Sequence, residues 1–411
     1  MIDKMKEKKS EIISHIVLIF TFSVVIFSLV SLIFPALLVT SIVGSESDVN
    51  SFELGAWAIP LLAVNLPILV FGLLYYRHLL PSVINKFFKS ILNFELSRKS
   101  TIIAFLIIIG IYIIFTAGEL TQSEEDVWKD WEALGRIIEE FPSGGEDKPA
   151  LRILYVKNFL LYSSQQVFQN VKIIPFISSI TLVFLTYFFT VQITKKRFAG
   201  LIAMIILLQS HTFLRYDTTA TFSNFWVSFY LFSLYIIYKK WALSPLAYVA
   251  SIFSKPLTVA FFPMTLFFIY RTKIPKKTKI RLTISYLIIA GALVGALFLA
   301  GGLGYGERLT SFEYIDFVSG FTSWAFQLRI DGLVLMFLLP LVFGLFLRSR
   351  NGIKEAESIM VLIAGIILSV PIIAGFTEFN IQPYRWMPLI VFFAIGVGVL
   401  LSKTSPNRSE N

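Results

Sequence analysis

Apolar residues in this chain gather in long unbroken runs instead of alternating with polar ones. Runs approaching the length that crosses the ~30 Å hydrocarbon layer of a bilayer occupy residues 12–40, 54–76, 101–117, 173–193, 198–212, 222–238, 241–254, 256–270, 282–302, 332–347, 358–376 and 384–402. The pattern predicts an all-α, polytopic membrane helix bundle of about twelve crossings. The first run follows a basic start, Lys4, Lys6, Lys8 and Lys9, and is too long for the apolar part of a cleaved secretory signal. It is expected to stay as an anchor.

The longest polar stretch, 118–172, breaks this rhythm and has a pattern of its own. Val127, Trp131, Leu134, Ile138 and Phe141 recur at helical spacing, opposite Asp126, Lys129, Asp130, Arg136 and Glu140. A second run, 151–169, sets Leu154, Phe159, Leu160 and Tyr162 against Arg152, Lys157, Gln165 and Gln166. Both read as amphipathic helices lying along the membrane interface. The chain therefore divides into an amino-terminal two-helix hairpin with a basic linker (1–100), a membrane domain (101–402) that includes the 118–172 loop, and a short tail (403–411).

Composition agrees with a bilayer protein: 56% of residues are hydrophobic and only 15% charged, and the mean hydropathy of +0.75 is far above that of a soluble domain. The net charge of +10 would suggest a nucleic-acid partner in a soluble protein, but in a membrane protein the side on which charges fall matters more. With the amino terminus inside, the inner segments hold about 25 Lys/Arg against about 7 Asp/Glu, and the outer segments about 11 against about 19. The expected protein sits in the cell membrane as a multi-pass chain with both termini cytoplasmic and an acidic external face. Nucleic acid is not an expected partner.

Other chemistry is excluded by what is missing. Zero cysteines rule out disulfides, thiolate metal sites and a cysteine nucleophile. No phosphate-cradling Gly-Lys-Ser/Thr loop, paired-histidine metal helix or Gly-x-Ser-x-Gly turn occurs. The three histidines, His15, His78 and His211, fall on different sides.

Ionisable groups near membrane depth are functional candidates. Asp126 and Asp130 are four apart, so a helix aims both carboxylates the same way, and Glu119 and Glu125 lie close enough to join them. A solvated acidic helix face is the bland alternative. Arg215 and Asp217 read first as a pair capping a helix end. Lys255 interrupts an apolar hairpin at Ser254-Lys255-Pro256, on the expected outer side, where an ammonium suits the phosphate of a membrane-embedded donor. Arg385, in Pro383-Tyr384-Arg385-Trp386-Met387-Pro388, follows the same logic.

Several of these segments, in order, resemble the GT-C superfamily of membrane glycosyltransferases, in particular its aminoarabinose-transferase and protein O-mannosyltransferase-like branches. Ser123-Glu124-Glu125-Asp126 followed by Trp131-Glu132-Ala133-Leu134-Gly135-Arg136 resembles the acidic motif and helix of the first external loop. Lys195 to Ala203 resembles the next cytoplasmic turn, Arg215 to Trp226 the following external stretch, 254–263 the Lys-containing turn, and 384–388 the late Arg-containing segment. Where many members carry an Asp after the Arg, this chain has Thr221, Ser223 and Asn224.

The resemblance implies transfer of a sugar from a polyprenyl-phosphate-linked donor to a protein, lipid or glycan acceptor on the external side. Asp126 would be the base, Glu125 second, with Asp130 and Glu119 nearby. Lys255, Arg385 and Arg215 would hold the donor phosphate, and Asp126 with Asp130 would suit a divalent cation. A lipid or sugar-lipid flippase, and a non-catalytic membrane subunit that keeps the fold, are the rival expectations.

Overall fold

In the computed structural model, residues 2–37, 50–77, 79–125, 127–128, 130–142, 154–299, 311–376 and 382–402 are described. Among them every regular element is helical. In chain order these are α1 (Ile2–Ile33), α2 (Ala58–Tyr76), α3 (Ser82–Asn93), α4 (Arg98–Thr116), α5 (Trp131–Glu139), α6 (Tyr155–Phe168), α7 (Ile173–Thr194), α8 (Arg197–Leu208), α9 (His211–Tyr216), α10 (Phe225–Ile236), α11 (Ser244–Ser254), α12 (Phe262–Arg271), α13 (Lys276–Leu299), α14 (Tyr314–Leu328), α15 (Gly332–Arg350), α16 (Glu355–Ala374) and α17 (Met387–Leu400).

Among the described residues, seven helical stretches are long and apolar enough to cross a membrane: Glu11–Ile33, Ala58–Tyr76, Arg98–Thr121, Ile173–Thr194, Gly332–Arg350, Glu355–Ala374 and Pro383–Leu400. Four more apolar helices, Arg197–Leu208, Phe225–Ile236, Trp241–Ser254 and Pro256–Arg271, are shorter. At 1.5 Å rise per residue, a 12-residue helix such as Phe225–Ile236 spans ~18 Å, less than a bilayer core. Several runs that hydropathy alone reads as separate crossings are therefore compact helices joined by tight turns. The 3-10 turn Pro256–Phe261 shows why. Proline lacks the N–H that would continue α11, and the chain restarts as α12 only at Phe262.

The chain forms two compact units. One comprises Met1–Leu96, Thr190–Ala203 and Leu309–Asn411. In it α16 packs against α1, α14, α15 and α17, while α1 also meets α14 and α15. Residues Leu389 to Ile395 of α17 are all but inaccessible, which makes this helix the core. Small residues permit the closest crossings, since lipid tails are as apolar as leucine and helices associate by fit. A Cβ on Gly320 of α14 would stand 2.6 Å from the Cα of Pro371 in α16. Polar ties add register: Ser14 Oγ donates to Glu357 Oε1 at 2.5 Å and Thr21 Oγ1 to the Met360 carbonyl at 3.3 Å, while Arg350 pairs with Glu11.

Lys196 is fully buried in this unit. Its ammonium donates to the carbonyls of Leu92 (2.9 Å) and Leu401 (3.0 Å), at the ends of α3 and α17. The last carbonyls of a helix lack internal partners and carry its negative dipole end, so one cation satisfies two helix termini. Lys196→Met is expected to destabilise the protein by about 2 kcal/mol, the cost of buried acceptors left unmade, seen as a lower thermal midpoint of the detergent-purified chain.

The other unit comprises Ser97–Phe189 and Met204–Arg308. Here α10 and α11 form a closely packed pair, α11 also meets α6 and α13, and α5 packs on α6. The amphipathic pattern in 118–172 does yield two helices, α5 and α6, but the first begins at Trp131 and leaves Val127 in an exposed turn. Their apolar stripe is used for packing. Leu134, Ile138 and Leu161 form a buried cluster with Ala220 and Phe225, joined by Trp131, Leu160 and Tyr162. This seats the loop helices against the segment just before α10.

Candidate functional site

The site grows from the carboxyl end of α4. Its helical hydrogen bonds tighten into a 3-10 turn, Ala117–Thr121, and the freed carbonyls need donors. Lys172, itself buried, donates its ammonium to the carbonyls of Glu119 (2.6 Å) and Gln122 (3.2 Å). Asn170 Nδ2 donates to the Leu120 carbonyl at 3.0 Å. The turn is thereby fixed, and with it Glu119, whose half-buried carboxylate accepts from Thr218 Oγ1 at 3.1 Å.

Glu124 follows and is only 3% exposed. Its carboxylate accepts the N–H of Ala220 (2.7 Å), the N–H of Thr221 (3.1 Å) and the Thr221 hydroxyl (2.7 Å). Two successive backbone amides and a hydroxyl make an anion-holding nest, and charge-assisted bonds of this kind are the stronger class. Lys157 Nζ donates to the Thr221 carbonyl at 2.6 Å. The residues around 217–224 are thus clamped to the first loop.

Asp217 lies in that clamped segment and is fully buried. Oδ2 accepts from the Tyr112 hydroxyl at 2.7 Å. Oδ1 has no hydrogen-bond partner among the described residues. Burial pushes its pKa up, the Tyr112 hydrogen bond pulls it down, the neighbouring Glu119 carboxylate pushes it up and the backbone amides of Thr218 and Asp217 itself pull it down, for a net rise to about 7. A carboxylate with one oxygen oriented by a phenol, the other buried without a hydrogen-bond partner among the described residues, and a proton affinity near neutrality has the acidity suited to a general base. Asn224, also buried, donates Nδ2 to Ser179 Oγ (3.2 Å) and to the Tyr216 carbonyl (3.3 Å), and its Oδ1 likewise has no partner among the described residues.

Arg215 is exposed. Its guanidinium lies 5.5 Å from the centre of the Trp128 ring, which stacks on Tyr216 at 5.5 Å and meets Phe222 edge-on at 4.9 Å. Arg215 and Asp217 do not form an ion pair among the described residues. The helix-end pair expected from their spacing is replaced by a cation held over an indole beside an acid bonded to a phenol.

Comparison with other proteins is negative. No family model, curated protein or solved structure matches this chain. The assignment of roles therefore rests on the geometry and on the motif resemblance.

The remaining sequence-derived residues fall as follows. Asp126 lies outside the described residues, as does Lys129. Glu125 and Asp130 are exposed; Asp130 precedes α5 without a side-chain cap, and the Glu125 N–H bonds to Ser123 Oγ at 3.1 Å. Among the described acids singled out in 118–172, Glu119 is the one brought near Asp217. Lys255 is half-buried at the extended residue between α11 and the Pro256–Phe261 turn. Arg385 belongs to the other unit, half-buried in the Pro383–Trp386 turn with its guanidinium 5.7 Å from the centre of the Tyr384 ring. No group of three or more His, Asp or Glu side chains stands ready to hold a metal ion among the described residues.

Three partners escaped sequence reasoning. Glu124 sat inside the recognised acidic motif but its neighbours were preferred. Tyr112 is one phenol in an apolar helix. Thr221 stood where an acid was expected, and it serves an acid instead, as donor to Glu124.

Proposed function

We propose that this chain is an integral-membrane glycosyltransferase of the GT-C type, moving a sugar from a polyprenyl-phosphate-linked donor to a protein, lipid or glycan acceptor on the external side of the membrane. The proposal keeps the expected polytopic helix bundle, a cell-membrane location and cytoplasmic termini. The observation that carries it is the Asp217 carboxylate, fully buried, oriented through one oxygen by Tyr112 and without a hydrogen-bond partner at the other among the described residues. In the transfer, an acceptor oxygen or nitrogen bonds to the anomeric carbon as the bond from that carbon to the phosphate oxygen breaks. The acceptor proton goes to the base, and the lipid phosphate leaves with the electron pair. Cations stabilise that departing charge, a role for Lys255, Arg215 and Arg385 by resemblance to the family's motifs.

The resemblance would put the base at Asp126, whereas the described side chain with the chemistry for the role is Asp217. Glu125 and Asp130, both exposed, then serve at most to draw a divalent cation or a cationic acceptor to the loop. A base must be ionised, so transfer is expected to rise with pH through about 7. Tyr112→Phe removes a hydrogen bond that favours the ionised form and should move that midpoint up. Glu119→Gln removes a repelling charge and should move it down. Rate–pH profiles of the three proteins check both signs.

The same buried acid favours one second reading, a proton-coupled flippase of lipid-linked sugar, because intramembrane carboxylates also serve proton relays. A transfer assay in membrane vesicles with labelled polyprenyl-phosphate sugars separates the two, comparing wild type with Asp217→Asn, Asp126→Asn and Lys255→Ala. Product formation lost in the Asp217 variant supports the transferase with this base, and loss in the Asp126 variant alone returns the role to the motif. Movement of labelled lipid without product supports the flippase.

A further inference from the structure

We infer that α3 is a surface-seated helix that gathers anionic phospholipid at the membrane, an interaction independent of the transferase reading. Its 12 residues span ~18 Å, too short to cross a ~30 Å core. Five residues separate it from α2, a long apolar helix ending at Tyr76, and a link of that length reaches at most ~20 Å, which keeps α3 near the end of that helix.

At 100° per residue the helix has three faces. Ile84, Phe88 and Leu92 are half-buried. Phe88 meets Phe71 (5.6 Å) and Tyr75 (6.3 Å) of α2, and the Leu92 carbonyl is held by Lys196. Beside this protein-facing stripe, Val83 and Phe87 are 75% and 62% exposed. Lys86, Lys89 and Asn93, all exposed, are centred about 100° round the helix from them and across from the protein-facing stripe.

One apolar stripe is used by the protein, the adjoining one is open, and lysines line the far side. That order fits a helix lying in the headgroup layer, with acyl chains below and water above.

Charge selects the lipid. Residues 77–99 contain Arg77, Lys86, Lys89, Arg98 and Lys99 against one acid, Glu95. The Glu95 carboxylate is turned to the protein, where it accepts the Arg197 N–H at 2.9 Å. The outward charge is therefore positive, and each lysine near an anionic leaflet shifts an equilibrium by a factor of about five.

The absence of cysteine from the sequence lets single labels be placed without further change. Full-length protein carrying Val83→Cys or Asn93→Cys with a nitroxide is reconstituted in phosphatidylcholine vesicles with or without phosphatidylglycerol. The label at 83 should be reached by oxygen and shielded from a nickel chelate, and the label at 93 should show the reverse. With a fluorescent donor at 83, acceptor-labelled phosphatidylglycerol should be enriched at least about fivefold over acceptor-labelled phosphatidylcholine. That excess should fall toward unity in Lys86→Gln/Lys89→Gln, and in the unaltered helix at high salt, where the charge is screened.

A water-exposed label at 83, or equal transfer from the two lipids, would overturn the inference. So would spin–spin broadening between labels, which would mean that a second copy covers the face. The salt arm decides the charge term even if the double variant fails to fold.

Discussion

Asp217→Asn is expected to reduce sugar transfer by about a hundredfold or more, the scale on which a positioned base contributes, while leaving the thermal midpoint near that of the parent. Asparagine keeps the size of the side chain and an oxygen to accept the Tyr112 hydroxyl now bonded to Oδ2 at 2.7 Å. It cannot take up the acceptor proton. The loss should appear in the chemical step at saturating donor, and the rise of rate through about pH 7 should vanish with it. Full activity in this variant would remove Asp217 from the mechanism. Lost activity together with a collapsed melting transition would mark it as structural.

The largest effect on folding is expected at Glu124. In Glu124→Ala the amides of Ala220 and Thr221 and the Thr221 hydroxyl lose their acceptor in a site where the carboxylate is only 3% exposed. Each buried donor left unmade costs about 1–3 kcal/mol, so about 3 kcal/mol or more should be lost, a large part of the ~5–15 kcal/mol that holds a typical protein folded. Because Glu124 is the clamp between the first loop and the Asp217 segment, early protease cleavage within 118–172 should accompany a lower thermal midpoint in detergent. Glu124→Gln keeps one acceptor oxygen and should fall between the two. An alanine variant that melts and resists protease like the parent would show that the nest contributes nothing to stability.

These two residues also show where a linear reading loses its grip. The acidic motif at 123–126 was visible. That Glu124 turns inward while Glu125 is exposed depends on the backbone path through a turn and on a partner segment 96 positions later. Asp217 was legible as an acid among apolar residues, and its spacing from Arg215 suggested a simple helix-end pair. The phenol that it bonds is 105 positions earlier, in a helix whose composition gave no reason to single out one tyrosine. The amphipathic stripes of α5 and α6 could not by themselves say whether lipid or protein would cover them. Leu134, Ile138 and Leu161 are covered by Ala220 and Phe225.

The sequence by itself determined that the chain is helical and built for a bilayer, because transfer from water to hydrocarbon is a sum over neighbouring residues and backbone polar groups in lipid must be satisfied within the helix. It also determined that one segment is rich in acids. Only the tertiary structure decided that Glu124 is a clamp, that Asp217 is buried and bonded to Tyr112, and that Arg215 rests on Trp128. Those outcomes depend on desolvation and on donors from distant parts of the chain, quantities that exist only once the helices have packed.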